Sequence, residues 1–154
     1  MKYAAVIESP IGALTLVEED GAMVEVRFGD DVSGAQLQQT PLLLLTASQL
    51  AAYFRGERTA FTVPLRPQGT AFQLACWDAL CRIPYGETIT YGQQAAVIGR
   101  PKACRAVGMA NHRNPLPVLI PCHRVVGANG ALGGYAGGID IKERLLHIER
   151  MDHP

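Results

Sequence analysis

The chain lacks any apolar run near the roughly 18 residues a membrane span needs. Its Met1-Lys2-Tyr3 start also lacks the charged-then-apolar plan of a secretory leader. Both absences point to a cytoplasmic protein with no membrane partner. There is no Cys-x-x-Cys pair: Cys76, Cys81, Cys104 and Cys122 stand apart, and a reducing compartment keeps such cysteines as thiols, so no disulfide framework is expected. The four histidines, His112, His123, His147 and His153, show none of the paired spacings that surround a tetrahedral ion, so neither a zinc site nor another cofactor is expected. Net charge is absent as well, with 14 basic against 14 acidic residues. The balance is uneven along the chain, because residues 1 to 68 carry net −3 and residues 69 to 154 net +3. An anionic partner would therefore meet the second half, although an excess this small also fits no partner at all.

What is present suits an ordinary globular protein. The 154 residues, 48% hydrophobic and 18% charged, allow one domain or two small lobes. Alternation at Leu14, Leu16, Val24, Val26 and Phe28, with turn signals at Ser9-Pro10-Ile11-Gly12 and Asp20-Gly21, predicts an antiparallel meander. Thr40-Pro41 opens a helix with an apolar stripe at 43, 47, 50, 51 and 54, closed by Gly56, and residues 62 to 70 read as a linker. Thr70 and Gln73 form a capping box for a second helix that places Cys76 toward the core. Two short helices follow, 91 to 98 capped by Thr90 and 101 to 109 opened by Pro101, joined by a three-residue turn containing Gly99. That is a helix-turn-helix plan. The last helix starts at Asp140-x-x-Glu143 and buries Ile141, Leu145 and Ile148.

Many helical hairpins bind nothing, so the second helix of the pair matters more than the pattern. Lys102 and Arg105 share one face, and Ala103, Ala106, Gly108 and Ala110 are small, which suits close approach to a narrow minor groove through shape and backbone contacts. Cys122, in Leu119-Ile120-Pro121-Cys122-His123-Arg124-Val125-Val126, admits two readings. It is a small buried hydrophobe, or it is a nucleophile whose raised pKa demands a base, with His123 beside it and Glu149 on the last helix as the relay. Residues 127 to 138 contain six glycines around Tyr135, which fits either a flexible hairpin or a pocket wall where backbone must approach a flat ligand.

Tyr91-Gly92-Gln93-Gln94, Ala103-Cys104-Arg105-Ala106-Val107-Gly108, Asn114-Pro115 and Ile120-Pro121-Cys122-His123-Arg124-Val125 together resemble the O6-alkylguanine-DNA alkyltransferases. The resemblance runs from about Phe72 to Glu149, with a looser match in the first lobe through Ser9 to Gly12 and Tyr53 to Gly56. It implies an α/β protein: a small ribonuclease H-like antiparallel sheet plus helix over residues 1–66, then a helical DNA-binding and alkyl-acceptor lobe over 67–154. It also implies a suicide reaction that moves an alkyl group from O6 of a flipped-out guanine in double-stranded DNA to Cys122, with little sequence preference. Carried over by position, His123 and Glu149 generate the thiolate through a bridging water, Tyr91 crowds the 3′ phosphate and donates to guanine N3, and Arg105 fills the vacated stack. Lys102, Ala106 and Gly108 face DNA, Asn114 and Pro117 support the active-site loop, and Tyr135, Ala136 and the Val125 carbonyl line the base pocket. The protein is expected to act as a monomer, with cooperative assembly on DNA left open. Two other classes stay open on the residues alone: a DNA-binding redox regulator sensing oxidants at Cys122, and a cysteine hydrolase using Cys122 and His123.

Overall fold

The computed structural model describes residues 1 to 151. The expected C-terminal lobe runs to Pro154, and its last three residues, His153 among them, lie outside the described residues. The chain divides into two compact units, Met1–Gln68 and Gly69–Pro154.

The first unit is a four-stranded sheet and one helix. β1 (Lys2–Ile7), β2 (Leu14–Glu19) and β3 (Ala22–Phe28) form the antiparallel meander, and the Asp20-Gly21 turn has positive φ at both residues (50° and 80°), the twist that suits a tight hairpin. β4 (Gln36–Leu37) adds a parallel edge to β1, giving the order β3-β2-β1-β4. Every residue of β2 from Leu14 to Glu18 is buried, as expected for a central strand covered on both faces. α1 (Pro41–Phe54) lies against β1 and β2, with Thr40 Oγ1 accepting from Leu43 N.

Two expectations in this unit need correction. The buried face of α1 is Leu43, Thr46, Gln49, Leu50 and Tyr53 rather than the stripe at 43, 47, 50, 51 and 54, because its two polar members are satisfied locally. Thr46 donates to Leu42 O at 2.9 Å, and Gln49 exchanges two hydrogen bonds with Thr62 at 2.6 and 3.0 Å. A polar side chain with partners can sit in a core position that an apolar periodicity count overlooks. The stretch 62–70 is not all linker either: Met23 N donates to Pro64 O and Arg66 N to Met23 O, both at 2.8 Å, so it extends the free edge of β3.

The second unit is built on helices. α2 (Ala71–Cys81) has the Thr70–Gln73 capping box and buries Cys76, Trp77, Ala79 and Leu80. β5 (Ile89–Thr90) leads directly into α3 (Tyr91–Val97), where Thr90 and Gln93 make a second capping box. α4 (Cys104–His112) begins later than the sequence suggests. Residues 98 to 103, six rather than three, separate the helices: Gly99 at φ 76° ends α3, and Ala103 N closes a turn on Arg100 O at 2.9 Å. Pro101 and Lys102 therefore lie in the connection, so Lys102 does not share a helix face with Arg105. The pair is locked from beneath. Gln94 and Asn111 exchange amide hydrogen bonds at 2.9 and 2.7 Å, Gln94 also donates to Cys76 O, and Trp77 Nε1 donates to Ala110 O at 2.8 Å. After a 3-10 turn (Cys122–Arg124) comes β6 (Val125–Val126), then α5 (Ile139–Met151).

α5 also starts earlier, at Ile139, with Lys142 N bonding to Gly138 O, so Asp140 sits in the first turn rather than at the cap. Its buried residues are Lys142, Leu145, Leu146 and Glu149, whereas Ile141 and Ile148 are only partly covered. The stripe is rotated from the expected one because two charged side chains occupy it. Among the described residues no helix is long and apolar enough to cross a membrane.

Candidate active site

The parallel pairing of Ile89 with Val125 and Thr90 with Val126 joins the start of α3 to the strand that follows the Cys122 turn. This pairing carries Tyr91, the first residue of α3, and Cys122, three residues before Val125, to one cavity. The cavity has a volume of about 540 Å3, within the roughly 300–1,000 Å3 typical of ligand pockets. Its wall is Tyr91, Arg105, Gly108, Met109, Asn111, His112, Cys122, Gly134, Tyr135 and Ala136.

Behind the wall the turn is held rigidly. Val125 and Val126 are buried, as are Leu119 and Ile120. Asn114 Nδ2 donates to Ile120 O and Asn114 Oδ1 accepts from Leu116 N, both at 2.9 Å, which clamps the segment 114–120 into the turn. Val118 inside that clamp has φ 70°, a left-handed conformation that a β-branched residue adopts only when its surroundings impose it. Pro117 lies in the same clamp, bridged to Ile120.

Cys122 is 7% exposed, and burial pushes its thiol pKa up, with hydrogen bonding from Asn114 and the Lys142 charge pulling it back. The resting group is the thiol. His123 Nε2 and Glu149 Oε2 are 2.5 Å apart, and both side chains are almost fully buried. Arg124 completes the cluster: its Nε donates to Glu149 Oε1 at 2.8 Å, one Nη to Glu149 Oε2 at 3.1 Å, and the other Nη to Ile83 O at 2.7 Å. Burial alone would raise the Glu149 pKa, but His123 and then Arg124 outweigh it and hold the group at about 2. Burial lowers the His123 pKa against the pull of Glu149, and the Arg124 and Lys142 charges lower it further. The consistent state is an Arg124–Glu149 ion pair beside a neutral imidazole. Its Nε2–H donates to the carboxylate, and its buried Nδ1, without a partner among the described residues, remains the basic atom. Both tyrosines of the wall stay protonated at neutral pH, because burial first and the Cys122 charge second raise their pKa values.

The His123 and Glu149 shifts act on stability with one sign. Each group binds its proton less readily in the folded chain, so the unfolded chain takes up protons first as the pH falls. Stability should be full at neutral pH, begin to fall below the ordinary imidazole value of 6.5, and fall more steeply below 4.5 toward about 2. Urea unfolding midpoints measured from about pH 7 to about pH 2 check this, and His123→Phe should remove the first of the two declines.

Family comparison agrees with both units. Residues 71–151 match the 6-O-methylguanine DNA methyltransferase DNA-binding domain, and residues 2–67 match the ribonuclease-like domain of the same family. The chain belongs to the 6-O-methylguanine DNA methyltransferase family. A methylated-DNA–protein-cysteine methyltransferase of Methanosarcina acetivorans is 49% identical over 152 residues, covering 96% of this chain and 97% of that protein. The constitutive enzyme of Bacillus subtilis is 45% identical over 162 residues, covering 99% and 98%. The crystal structure of Mycobacterium tuberculosis OGT in complex with DNA is 44% identical, with a TM-score of 0.92 over 99% of this chain and 95% of that one. The activity class is that of the family: direct-reversal DNA repair by transfer of the alkyl group to a cysteine of the protein.

In this methyltransferase fold, Tyr91, Arg105, Gly108, Cys122, Tyr135 and Ala136 meet at the cavity wall. His123, Glu149, Asn114 and Pro117 stand behind it. Lys102 and Ala106 are exposed at and before α4, outside the described wall. The Val125 carbonyl, expected at the base pocket, accepts from Lys142 Nζ at 2.6 Å. Lys142 is the principal residue the sequence reading passed over. Fully buried, it also donates to Leu132 O and Gly134 O, and its ammonium lies 5.9 Å from the Tyr91 ring centre. The available signal was its position three residues before Leu145 and seven before Glu149, on the buried face. Gly133, at φ 71°, passes so near Tyr91 that a Cβ there would stand 2.7 Å from the phenol oxygen.

Proposed function

We propose that the protein repairs O6-alkylguanine in double-stranded DNA by a single, irreversible transfer of the alkyl group to Cys122, with α4 entering the minor groove and Arg105 filling the stack the base leaves. What carries this reading is that one cavity presents a buried thiol, a tyrosine held protonated, and an exposed arginine on the second helix of a helix-turn-helix, with a neutral, carboxylate-backed imidazole behind the thiol.

Cys122 loses its proton through a water to His123 Nδ1, and the imidazolium formed is held by the Glu149 carboxylate. The thiolate attacks the alkyl carbon, the S–C bond forms as the C–O6 bond breaks, and the electron pair leaves on the guanine. Guanine anion is a poor leaving group, so hydrogen bonding from the Tyr91 hydroxyl to N3 lowers the barrier. A thioether offers water no carbonyl to attack, which makes the protein a reagent by stoichiometry. Small residues on α4, Ala106 and Gly108, permit backbone approach and little base reading, so binding has little sequence preference. The protein works as a monomer in the cytoplasm.

Incubation with duplex DNA bearing O6-methylguanine, followed by the intact mass, tests this. One methyl per molecule, mapped to Cys122 and absent in Cys122→Ala, is the expected result. An unchanged mass, or repeated turnover, overturns it. Arg105→Ala should slow the duplex reaction on the order of tenfold or more, far more than it slows reaction with the free base.

A further inference from the structure

α4 presents two kinds of surface. Val107 and Ala110 are 0% and 3% exposed and tie it to α2 and α3, while Arg105, Ala106, Gly108 and Met109 face outward or into the cavity. On this face, which also carries Arg105 and His112, Met109 is the one large apolar side chain, and it is 56% exposed. Packing in the free protein does not account for it. Its position does have a relation to the site: it follows Arg105 by four residues, one helical turn, and both side chains line the cavity that contains Cys122. Gly108, just before it, leaves room beside the Tyr91 ring, where a Cβ would lie 3.8 Å from the ring carbon.

A helix that brings this face to the minor groove carries two protruding side chains of different chemistry into the same base step. A guanidinium can hydrogen-bond the orphaned base, but it is a charge placed in an apolar stack. A flexible, polarisable thioether suits the apolar remainder of the gap, and methionine is among the side chains used as wedges between base steps. We propose that Met109 is a positioning residue for base extrusion. Its thioether enters the duplex beside Arg105, and the two together fill the space left by the flipped nucleotide. This inference rests on the repair reading above. Met109 touches neither the reacting sulfur nor the leaving group in this role, so its contribution appears mainly when there is a stack to fill.

The experiment compares wild type, Met109→Ala and Met109→Leu for single-turnover methyl transfer from duplex O6-methylguanine and from the free base. In parallel, 2-aminopurine fluorescence at the target position reports extrusion by the same variants carrying Cys122→Ala. Met109→Ala should slow the duplex reaction on the order of tenfold and lower the extruded fraction, with a much smaller loss on the free base and Met109→Leu close to wild type on both. Equal losses on both substrates would show that Met109 acts only within the pocket and not in extrusion, and would overturn the proposal, as would a duplex rate that does not change. A wild-type protein that takes no methyl from either substrate would overturn the repair reading, and this inference with it.

Discussion

Glu149→Gln should remove almost all alkyl transfer and destabilise the second unit by about 3–5 kcal/mol, the usual consequence of breaking a buried ion pair from one side. The carboxylate is 1% exposed and accepts from three side-chain donors, His123 Nε2 and two nitrogens of Arg124. A glutamine keeps one acceptor oxygen and presents an NH2 group to the donors facing the other, so one of them is left unsatisfied in a dry site. The Arg124 guanidinium then remains buried without a compensating charge, its polar partners among these contacts reduced to the Ile83 carbonyl and the single amide oxygen. The chemical loss has a separate origin. Neutral His123 accepts the thiol proton only if the resulting imidazolium is stabilised, and the charge that stabilises it is the one removed, so the rate should fall on the order of 10²-fold or more. Urea unfolding and single-turnover transfer measured on the same preparation separate the two effects. A variant as stable as wild type, or one that reacts at the wild-type rate with duplex and free base, would contradict the arrangement described.

Much of this site was legible because its signals are local. Thr40, Thr70 and Thr90 announce helix starts through hydrogen bonds that span three residues, and each caps the helix that the sequence predicts. The Asp20-Gly21 turn is equally local. Where the reading failed, the cause was a partner distant in the chain. α5 was expected to bury Ile141, Leu145 and Ile148, but Glu149 is drawn inward by Arg124, 25 residues away, and Lys142 by the Val125 carbonyl, 17 residues away. Periodicity weighs a lysine as polar and assigns it to solvent. Only the acceptors supplied by another segment reverse that assignment. The late start of α4 has a different reason: a proline fits the first turn of a helix and also an ordinary turn, and no side chain near Pro101 caps a helix. β5 and β6, two residues each, fall below any alternation signal, although they bring Tyr91 to Cys122.

Lys142→Met should disable the site while leaving DNA binding nearly intact. An ammonium has three donors, and here they meet three backbone acceptors, the carbonyls of Val125, Leu132 and Gly134. Those carbonyls belong to the strand that follows the acceptor turn and to the glycine-rich loop, so one side chain fastens the loop to the strand. Methionine matches the length and apolar stem but supplies no donor, which leaves the loop held by its own few hydrogen bonds. Glycines at 130, 133, 134, 137 and 138 then offer little resistance to motion. Gly133 moves away from the Tyr91 hydroxyl, and the wall formed by Gly134, Tyr135 and Ala136 opens. A positive charge that favours the Cys122 thiolate is lost at the same time. Transfer should fall on the order of 10²-fold for duplex and free base alike, because the damage lies in the pocket rather than in extrusion. Stability should drop by ~2 kcal/mol, within the range for buried polar groups that lose their partners. Affinity for undamaged duplex should hold within about twofold, since α4 is fixed by Gln94, Asn111 and Trp77, none of which touches the loop through these bonds. Amide hydrogen exchange at residues 130 to 136 provides the direct check. Faster exchange there, with α4 protected as in wild type, is the expected pattern, and unchanged exchange with a wild-type free-base rate would show that Lys142 does not hold the loop.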